Sequence, residues 1–163
     1  ASPKEIAESI SSFKGIPHRL ENLGQVEKIN IFNDSKATNY ESAIMGLKSI
    51  QSPIIVIAGG RSKQADPTQW LIQLKKSACG IILFGESSNY LKDIIQKSSY
   101  SAELHCCKGL QEATELGISI GKSLSAKSIL LSPACSSFDS YQDFEERGNH
   151  FRELIESQIN LIK

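Results

Sequence analysis

The sequence has no excess of charge of either sign and no long hydrophobic run. Its 163 residues include 18 lysines and arginines and 18 aspartates and glutamates, so the formal net charge is zero. A balanced charge argues against non-specific binding to nucleic acid or to an anionic membrane. No apolar segment approaches the roughly 20 residues of a membrane-spanning helix. Residues 1–6 lack the basic and apolar regions of a signal peptide, so we expect a cytoplasmic protein.

Cysteine is scarce and is not arranged for disulfides or metal binding. The four cysteines comprise an adjacent pair, Cys106 and Cys107, and two isolated residues, Cys79 and Cys135. No C-x-x-C pair and no cysteine and histidine spacing typical of a zinc site is present. We therefore predict reduced thiols, mostly buried, and no metal site in this chain.

Two phosphate-binding motifs and one hydrolase motif are also missing. The sequence contains neither a G-x-x-x-x-G-K-[ST] loop nor a G-x-G-x-x-G loop. A nucleotide-hydrolysing site that is complete within this chain is therefore not expected. Ser132 and Ser137 lack the context of a nucleophile elbow, which disfavours a serine hydrolase.

The sequence does contain a regular alternation of strand and helix patterns from residue 25 to the end. The run 53–58 is rich in β-branched residues, as in a strand buried on both faces of a parallel sheet. The alternation predicts a doubly wound, mostly parallel, Rossmann-like α/β sheet with helices on both faces, in a single domain. The predicted strands are 22–26, 27–32, 53–58, 80–84, 101–106 and 128–131, and the predicted helices are 3–13, 40–50, 87–97, 110–124, 144–162 and one containing Trp70, Leu71 and Leu74.

Three strand-to-helix loops are long and polar, namely residues 33–39, 59–67 and 132–143. In an open α/β sheet such loops meet at the carboxyl edge of the strands, where ligands bind. Two of them carry a lysine, Lys36 or Lys63, whose ammonium suits a phosphate or a carboxylate. The pattern predicts a small anionic ligand held between the loops.

Some residues of these loops also fit ordinary structural roles. Asn33, Asp34 and Asn39 are common turn and helix-capping residues. The Gly59–Gly60 pair permits either a simple strand end or a close backbone approach. Both interpretations stay open on the sequence alone.

The loops resemble those of the C-terminal domain of the Mur ligases, in the family's order and from about residue 13 to the end. The Asn-Asp-Ser-Lys-Ala-Thr-Asn block at 33–39 is similar to that of the members that add D-glutamate. The matching motifs are His18-Arg19-Leu20-Glu21, residues 33–39, Gly59-Gly60 with Lys63 and Asp66, residues 131–139, and Phe144-Glu145-Glu146-Arg147-Gly148.

The resemblance implies one domain of a three-domain enzyme of peptidoglycan synthesis. In that family ATP and Mg²⁺ are held mainly by a central domain, ATP phosphorylates the carboxylate of UDP-MurNAc-L-alanine, and D-glutamate attacks the acyl phosphate. Residues 1–17 would be the linker and last helix of the central domain, and residues 18–163 the D-glutamate-binding domain. By itself the chain is expected to be inactive and to bind no cofactor.

The resemblance also implies site residues. Lys36 and Lys63 are the candidate catalytic residues. Contacts with D-glutamate or the reacting phosphate are implied for Lys36, Thr38 and Lys63, contacts with the other end of D-glutamate for Ser137, Phe138 and Phe144, and contacts with ATP for Arg19 and Asp34. A dicarboxylate needs such cations and donors in a closed, dry site. The chain departs from the family pattern at Arg61-Ser62 and at Pro67.

Each of these residues also has a plainer interpretation. Arg19 could pair with Glu21 or Glu27, the two phenylalanines could be core residues, and the two lysines could be solvated. Two other functions remain open. One is a stand-alone Rossmann-type module that binds a nucleotide or an acidic metabolite, and the other is a different Mur-type amide ligase.

Overall fold

A computed structural model describes residues 2, 15–63 and 65–162 of the chain, and strands alternate with helices along that part. The helix predicted at residues 3–13 lies outside the described residues. The strands are β1 (Glu21–Val26), β2 (Ile29–Asn33), β3 (Ile54–Gly59), β4 (Ala78–Phe84), β5 (Glu103–Cys106) and β6 (Ser128–Leu131). The helices are α1 (Tyr40–Ser49), α2 (Thr68–Ser77), α3 (Ser88–Lys97), α4 (Leu110–Ser123) and α5 (Phe144–Ile162).

Within the described residues, the predicted elements are confirmed except for shifts at their ends. The second strand was expected to begin at Glu27, but Glu27 and Lys28 form the turn of a hairpin in which Val26 pairs with Ile29. Both turn residues have positive φ angles, 51° and 66°. Two consecutive left-handed residues give the tight turn whose twist matches an antiparallel pair of strands.

The sheet has the strand order β1-β2-β6-β3-β4-β5. Only the β1–β2 pair is antiparallel, and the other pairs are parallel. The doubly wound, mostly parallel sheet is therefore confirmed. Strand β6 lies between β2 and β3, so the three strands that precede the polar loops are neighbours. Their loops consequently leave one edge of the sheet side by side.

Helices cover both faces of the sheet. Ile54 and Val56 of β3 pack in one buried cluster with residues of α1, α2 and α3, whereas Ile55 and Ile57 pack in a second cluster with residues of α4 and α5. Alternate side chains of one strand thus enter opposite layers. Every residue of β3 is buried, as its apolar sequence predicted.

The four cysteines are free thiols. Cys107 and Cys135 are buried, Cys79 is half-buried and Cys106 is exposed. Burial raises the pKa of Cys135 to about 11, so this thiol stays protonated at neutral pH. Among the described residues, no helix has both the length and the hydropathy to cross a membrane.

Candidate functional site

The three polar loops are joined to one another by backbone hydrogen bonds. Arg61 and Ser136 form an antiparallel bridge, in which each N–H donates to the other's carbonyl at 2.9 and 3.0 Å. The Ala134 N–H donates to the Ala37 carbonyl at 2.9 Å. The middle and last loops, and the last and first loops, are therefore in direct contact, as their position after the strands predicted.

The glycine pair at the end of β3 makes a close backbone approach. Gly59 and Gly60 have φ angles of +138° and +126°, a backbone conformation that residues other than glycine rarely adopt. A Cβ atom on Gly59 would overlap the carbonyl oxygen of Phe84, and one on Gly60 would overlap that of Ser136. Of the two interpretations left open for this pair, close approach is the correct one.

A buried arginine on α5 forms hydrogen bonds with the same three loops. Arg147 is fully buried. Its guanidinium donates to the hydroxyl and the carbonyl of Ser35 at 3.0 and 2.8 Å and twice to the Cys135 carbonyl at 3.2 Å. A longer bond of 3.4 Å reaches the Gly59 carbonyl. One side chain therefore contacts the first, the middle and the last polar loop.

The burial of Arg147 has an electrostatic cost. Among the described residues no carboxylate forms an ion pair with it. Burial lowers the pKa of Arg147 to about 10, which leaves the guanidinium charged at neutral pH. In the sequence, Arg147 stands within the Phe144-Glu145-Glu146-Arg147-Gly148 motif, and no role was predicted for it. A signal was present, because Arg147 lies on the same helical face as buried Phe151 and Ile155, at spacings of four residues.

A first pocket lies beside the loop 33–39 and has a volume of about 320 Å³. Arg19, Lys36 and Asp34 contribute its charged groups, and Leu20 and Met45 contribute apolar surface. The Leu20 N–H donates to Oδ1 of Asp34 at 3.2 Å. A Cβ on Gly46 would lie 2.7 Å from Oδ2 of Asp34, so the glycine makes room for this carboxyl group.

Arg19 does not form the surface ion pairs that were considered for it. Glu21 pairs with Arg152 at 2.8 Å, and Glu27 pairs with Lys122 at 3.3 Å. Arg19 instead lines the first pocket and acts on Asp34, whose pKa its charge lowers. Arg19 and Asp34, the two candidate ATP residues, therefore lie together in this pocket as a cation and a carboxyl group.

Burial raises the pKa of Asp34 from 3.8 to about 6, although the Leu20 N–H and the Arg19 charge oppose the shift. Because the folded state binds this proton more tightly, stability falls as the pH rises from 3.8 through about 6. We expect Asp34→Asn to raise the free energy of unfolding at pH 7 by about 1–2 kcal/mol. Urea denaturation between pH 4 and 8 measures this. Asp93→Asn, at an exposed pair with Lys97, is the control and should change the free energy of unfolding at pH 7 by less than about 0.5 kcal/mol.

A second pocket, of about 400 Å³, adjoins the first through Lys36. The Lys36 ammonium lies over the ring of Phe144, 5.1 Å from its centroid, and both residues line the second pocket. The Phe144 carbonyl accepts a hydrogen bond from the Ser35 hydroxyl at 2.8 Å. Lys36 is exposed to solvent, and its ammonium is held in place by the contact with the Phe144 ring. Phe144 is half-buried, so it is not a core residue.

The remaining predicted residues lie on the joined loops but line neither pocket. Lys63 is exposed and Thr38 is half-buried. Ser137 is buried, and its carbonyl accepts from the N–H groups of residues 140 and 141. Phe138 is 63% exposed, which removes the interpretation of this residue as a core aromatic.

A buried polar network, which the sequence analysis did not foresee, fixes the chain before β1 to α5. The Asn33 amide donates to the Gly148 carbonyl at 3.1 Å and to Glu21 at 3.2 Å, and it contacts Nδ1 of His18 at 3.0 Å. Arg152 donates to both carboxylate oxygens of Glu21 at 2.8 and 2.9 Å. Burial lowers the pKa of His18, which favours the neutral ring. Asn33 is therefore more than a turn residue.

No group of three or more histidine, cysteine, aspartate or glutamate side chains among the described residues is arranged to hold a metal ion. The two pockets are lined by the cations of Arg19, Lys36 and Arg152 and by the carboxyl groups of Asp34 and Glu145, so cations outnumber carboxyl groups. Such a set suits a ligand that carries phosphate or carboxylate groups.

Comparison with protein families matches residues 18–135 to the family described as Mur ligase, glutamate ligase domain. A UDP-N-acetylmuramoylalanine–D-glutamate ligase of Prochlorococcus marinus (strain MIT 9313) is 51% identical over 96% of this chain and 34% of its own length. The ligase of the same name from Synechococcus sp. (strain CC9902) is 46% identical over 97% of the chain and 34% of its own length. The chain thus spans about a third of the curated relatives it matches.

Solved structures share the fold at low sequence identity. A folylpolyglutamate synthase of Mycobacterium tuberculosis matches 94% of this chain with a TM-score of 0.66 and 12% identity, over 35% of its own chain. The corresponding enzyme of Thermotoga maritima matches 96% with a TM-score of 0.61 and 16% identity, over 34% of its own chain. These likenesses support the Rossmann-like architecture.

Proposed function

The chain belongs to the Mur ligase family, within its glutamate ligase domain, and from this premise we propose that it is the C-terminal domain of an ATP-dependent ligase. The ligase joins D-glutamate to UDP-MurNAc-L-alanine through an acyl phosphate, in cytoplasmic peptidoglycan synthesis. Residues 1–17 are proposed as the connection to a central domain, which is the macromolecular partner of this chain. The observation that carries the proposal is the contact among three polar loops on adjacent strands, in a chain that is 51% identical to a ligase named for D-glutamate.

The proposed D-glutamate site lies where those loops meet. Lys63 and Lys36 supply positive charge for the carboxylates and for the phosphate that departs, and the Thr38 hydroxyl adds a donor. Ser137 and Phe138, on the last loop, and Phe144, at the start of α5, are proposed to hold the other end of the amino acid. An acyl phosphate is hydrolysed by water, so closure of the site against another domain would protect it.

The proposed nucleotide contact lies in the first pocket. A guanidinium such as Arg19 suits a phosphate, a carboxylate such as Asp34 accepts from a sugar hydroxyl, and Leu20 and Met45 supply apolar surface. These residues fit one side of a nucleotide. The glycine-rich loop and the Mg²⁺ ligands that complete such a site are proposed to lie in the central domain. ATP supplies the phosphoryl group that activates the carboxylate.

Lysine substitutions in the full-length ligase test this proposal. We expect Lys63→Ala to raise the KM for D-glutamate by roughly 10- to 100-fold, the range for a charge-assisted hydrogen bond. The readout is phosphate release that depends on D-glutamate. Lys48→Ala, in the last turn of α1 and away from the loops, is the control. Equal kinetics of the Lys63 and Lys48 variants would overturn the assignment.

A titration of the isolated chain separates this proposal from a stand-alone binding module. With part of the site on another domain, D-glutamate should give negligible heat in calorimetry. Tight binding of D-glutamate or of ATP with Mg²⁺ to the chain by itself would favour the module instead.

A further inference from the structure

A fourth, short loop follows β4 and contacts two of the three polar loops. It comprises residues 85–87 and leads directly into α3. The Ser87 N–H donates to the Gly60 carbonyl at 2.9 Å, and the Glu86 N–H donates to Oδ2 of Asp139 at 3.0 Å. The short loop is therefore tied both to the middle polar loop and to the last one.

The Ser87 side chain lies at the N-cap position of α3 but does not cap the helix. A serine at this position usually accepts a hydrogen bond from a backbone N–H in the first turn of its own helix. Here the buried hydroxyl oxygen instead accepts from the Ser62 N–H at 2.6 Å. The oxygen that would cap the helix is thus used to fix the middle polar loop.

The bond to Ser87 is the last fixed point of the middle loop before Lys63. Gly60 and Arg61 are held by backbone hydrogen bonds to neighbouring segments. Among the described residues, the Ser62 N–H is the last backbone group before Lys63 that bonds outside its own loop. Only the two backbone dihedral angles of Ser62 separate this bond from the Cα of Lys63. Because Lys63 is exposed, the backbone before it determines where its ammonium can reach.

We propose that Ser87 is a positioning residue for Lys63. Its hydroxyl oxygen fixes the Ser62 peptide, so the Lys63 ammonium can reach a carboxylate of the amino acid substrate without prior ordering of the loop. Ordering a backbone segment on binding costs free energy, which weakens affinity. A loop that is already fixed therefore binds the acidic substrate more tightly. The inference rests on the proposed function and concerns the same site.

Ser87→Ala in the full-length ligase tests the inference, because it removes the acceptor oxygen and leaves the backbone bond of Ser87 in place. The KM for D-glutamate should rise about three- to fivefold, within the range for one neutral hydrogen bond. The KM for ATP should change by less than about twofold, because sites without shared partners respond independently. The candidate ATP residues Arg19 and Asp34 line the first pocket, which Lys63 does not.

Ser128→Ala is the matched control. Ser128 is a buried serine whose hydroxyl donates to the Gln51 carbonyl at 2.8 Å, at the first residue of β6 and hence at the opposite edge of the sheet. Its substitution should lower the melting temperature at least as much as Ser87→Ala, since each removes one hydrogen bond of a buried serine. It should leave the KM for D-glutamate unchanged, so that a loss of stability is separated from an effect on the site.

A double-mutant cycle shows whether Ser87 acts through Lys63. In the Lys63→Ala background, Ser87→Ala should not raise the KM for D-glutamate further, because the group that it positions is gone. Effects that multiply in the double variant would mean that Ser87 influences the site by another route.

Amide hydrogen exchange examines the bond itself, and it does so without any substitution. In the wild-type ligase the Ser62 amide should be protected as well as the amide of Arg61, which donates to the Ser136 carbonyl. In Ser87→Ala the Ser62 amide should exchange faster. Rapid exchange of the Ser62 amide in the wild type would contradict the inference even if the variant did not fold.

Three kinetic results would also overturn the inference. They are an unchanged KM for D-glutamate in Ser87→Ala, an equal rise in Ser128→Ala, and a multiplied effect in the Lys63→Ala background. If the wild-type ligase shows no turnover that depends on D-glutamate, the proposed function fails together with the inference. If turnover is normal and Lys63→Ala raises the KM but Ser87→Ala does not, the inference alone fails.

Discussion

Replacement of Arg147 by methionine is expected to destabilise the domain by about 2–4 kcal/mol. The carbonyls of Ser35 and Cys135 each lose a buried donor, and a buried acceptor without a partner costs about 1–3 kcal/mol. Relief from burying a charge offsets part of this loss. Arg147→Lys should lose nearly as much, because one ammonium does not reproduce the planar fork that reaches both carbonyls.

Urea denaturation at pH 7 measures the effect, and Arg61→Met provides the comparison. Arg61 is an arginine of the same site, but its ion pair with Glu86 is exposed, with both side chains more than half accessible. Loss of such a pair costs at most about 1 kcal/mol. A loss in Arg147→Met no greater than in Arg61→Met would mean that the buried guanidinium does not hold the loops.

Because Arg147 bonds to the Gly59 and Ser35 carbonyls, its loss should also change the loops themselves. Amide hydrogen exchange should accelerate at the Arg61 and Ser136 N–H groups, which form the bridge between the middle and last loops. Exchange of the β4 amide protons should accelerate only as much as the loss in global free energy of unfolding requires. The two rates thus separate a local role at the site from a general loss of stability.

Replacement of Gly60 by alanine is the second change with a large expected effect, about 3 kcal/mol or more of lost stability. The backbone at φ +126° is strained for any residue with a side chain. The new Cβ would also overlap the Ser136 carbonyl oxygen, which accepts the Arg61 N–H in the bridge between loops. The Ser136 oxygen belongs to the backbone and not to a flexible side chain, so the overlap can be relieved only if the backbone moves.

Gly109→Ala is the control for this substitution. Gly109 precedes α4 with an extended backbone, and an added Cβ would meet nothing within 4 Å. The free energy of unfolding should fall by at most about 1 kcal/mol, because Gly109 is the N-cap residue of α4 and alanine is a poorer N-cap than glycine. Thermal denaturation of both variants compares the same chemical change at a closed and an open position. Equal melting temperatures would contradict the close approach of the two loops.

The sequence by itself determined the type and order of the secondary-structure elements. The β-branched run of β3 and the apolar spacing of the helices are local patterns, and their periodicity depends only on neighbours along the chain. The polar residues of the loop that contains Lys36 could likewise be placed at the end of a strand. What was misplaced were the ends of elements, as at β4, and one turn at Glu27 and Lys28, where two residues without the usual glycine or asparagine adopt positive φ.

The tertiary structure alone decided which of these loops touch. Strand β6 enters between β2 and β3, and no periodicity in the sequence states that order. Long-range contacts also made Arg147 a link among three loops. Periodicity reports whether a side chain is buried, but the partner of a buried polar group is set by segments far away in the chain. For that reason the fold could be predicted from the sequence, whereas the buried hydrogen bonds that hold the loops of the site could not.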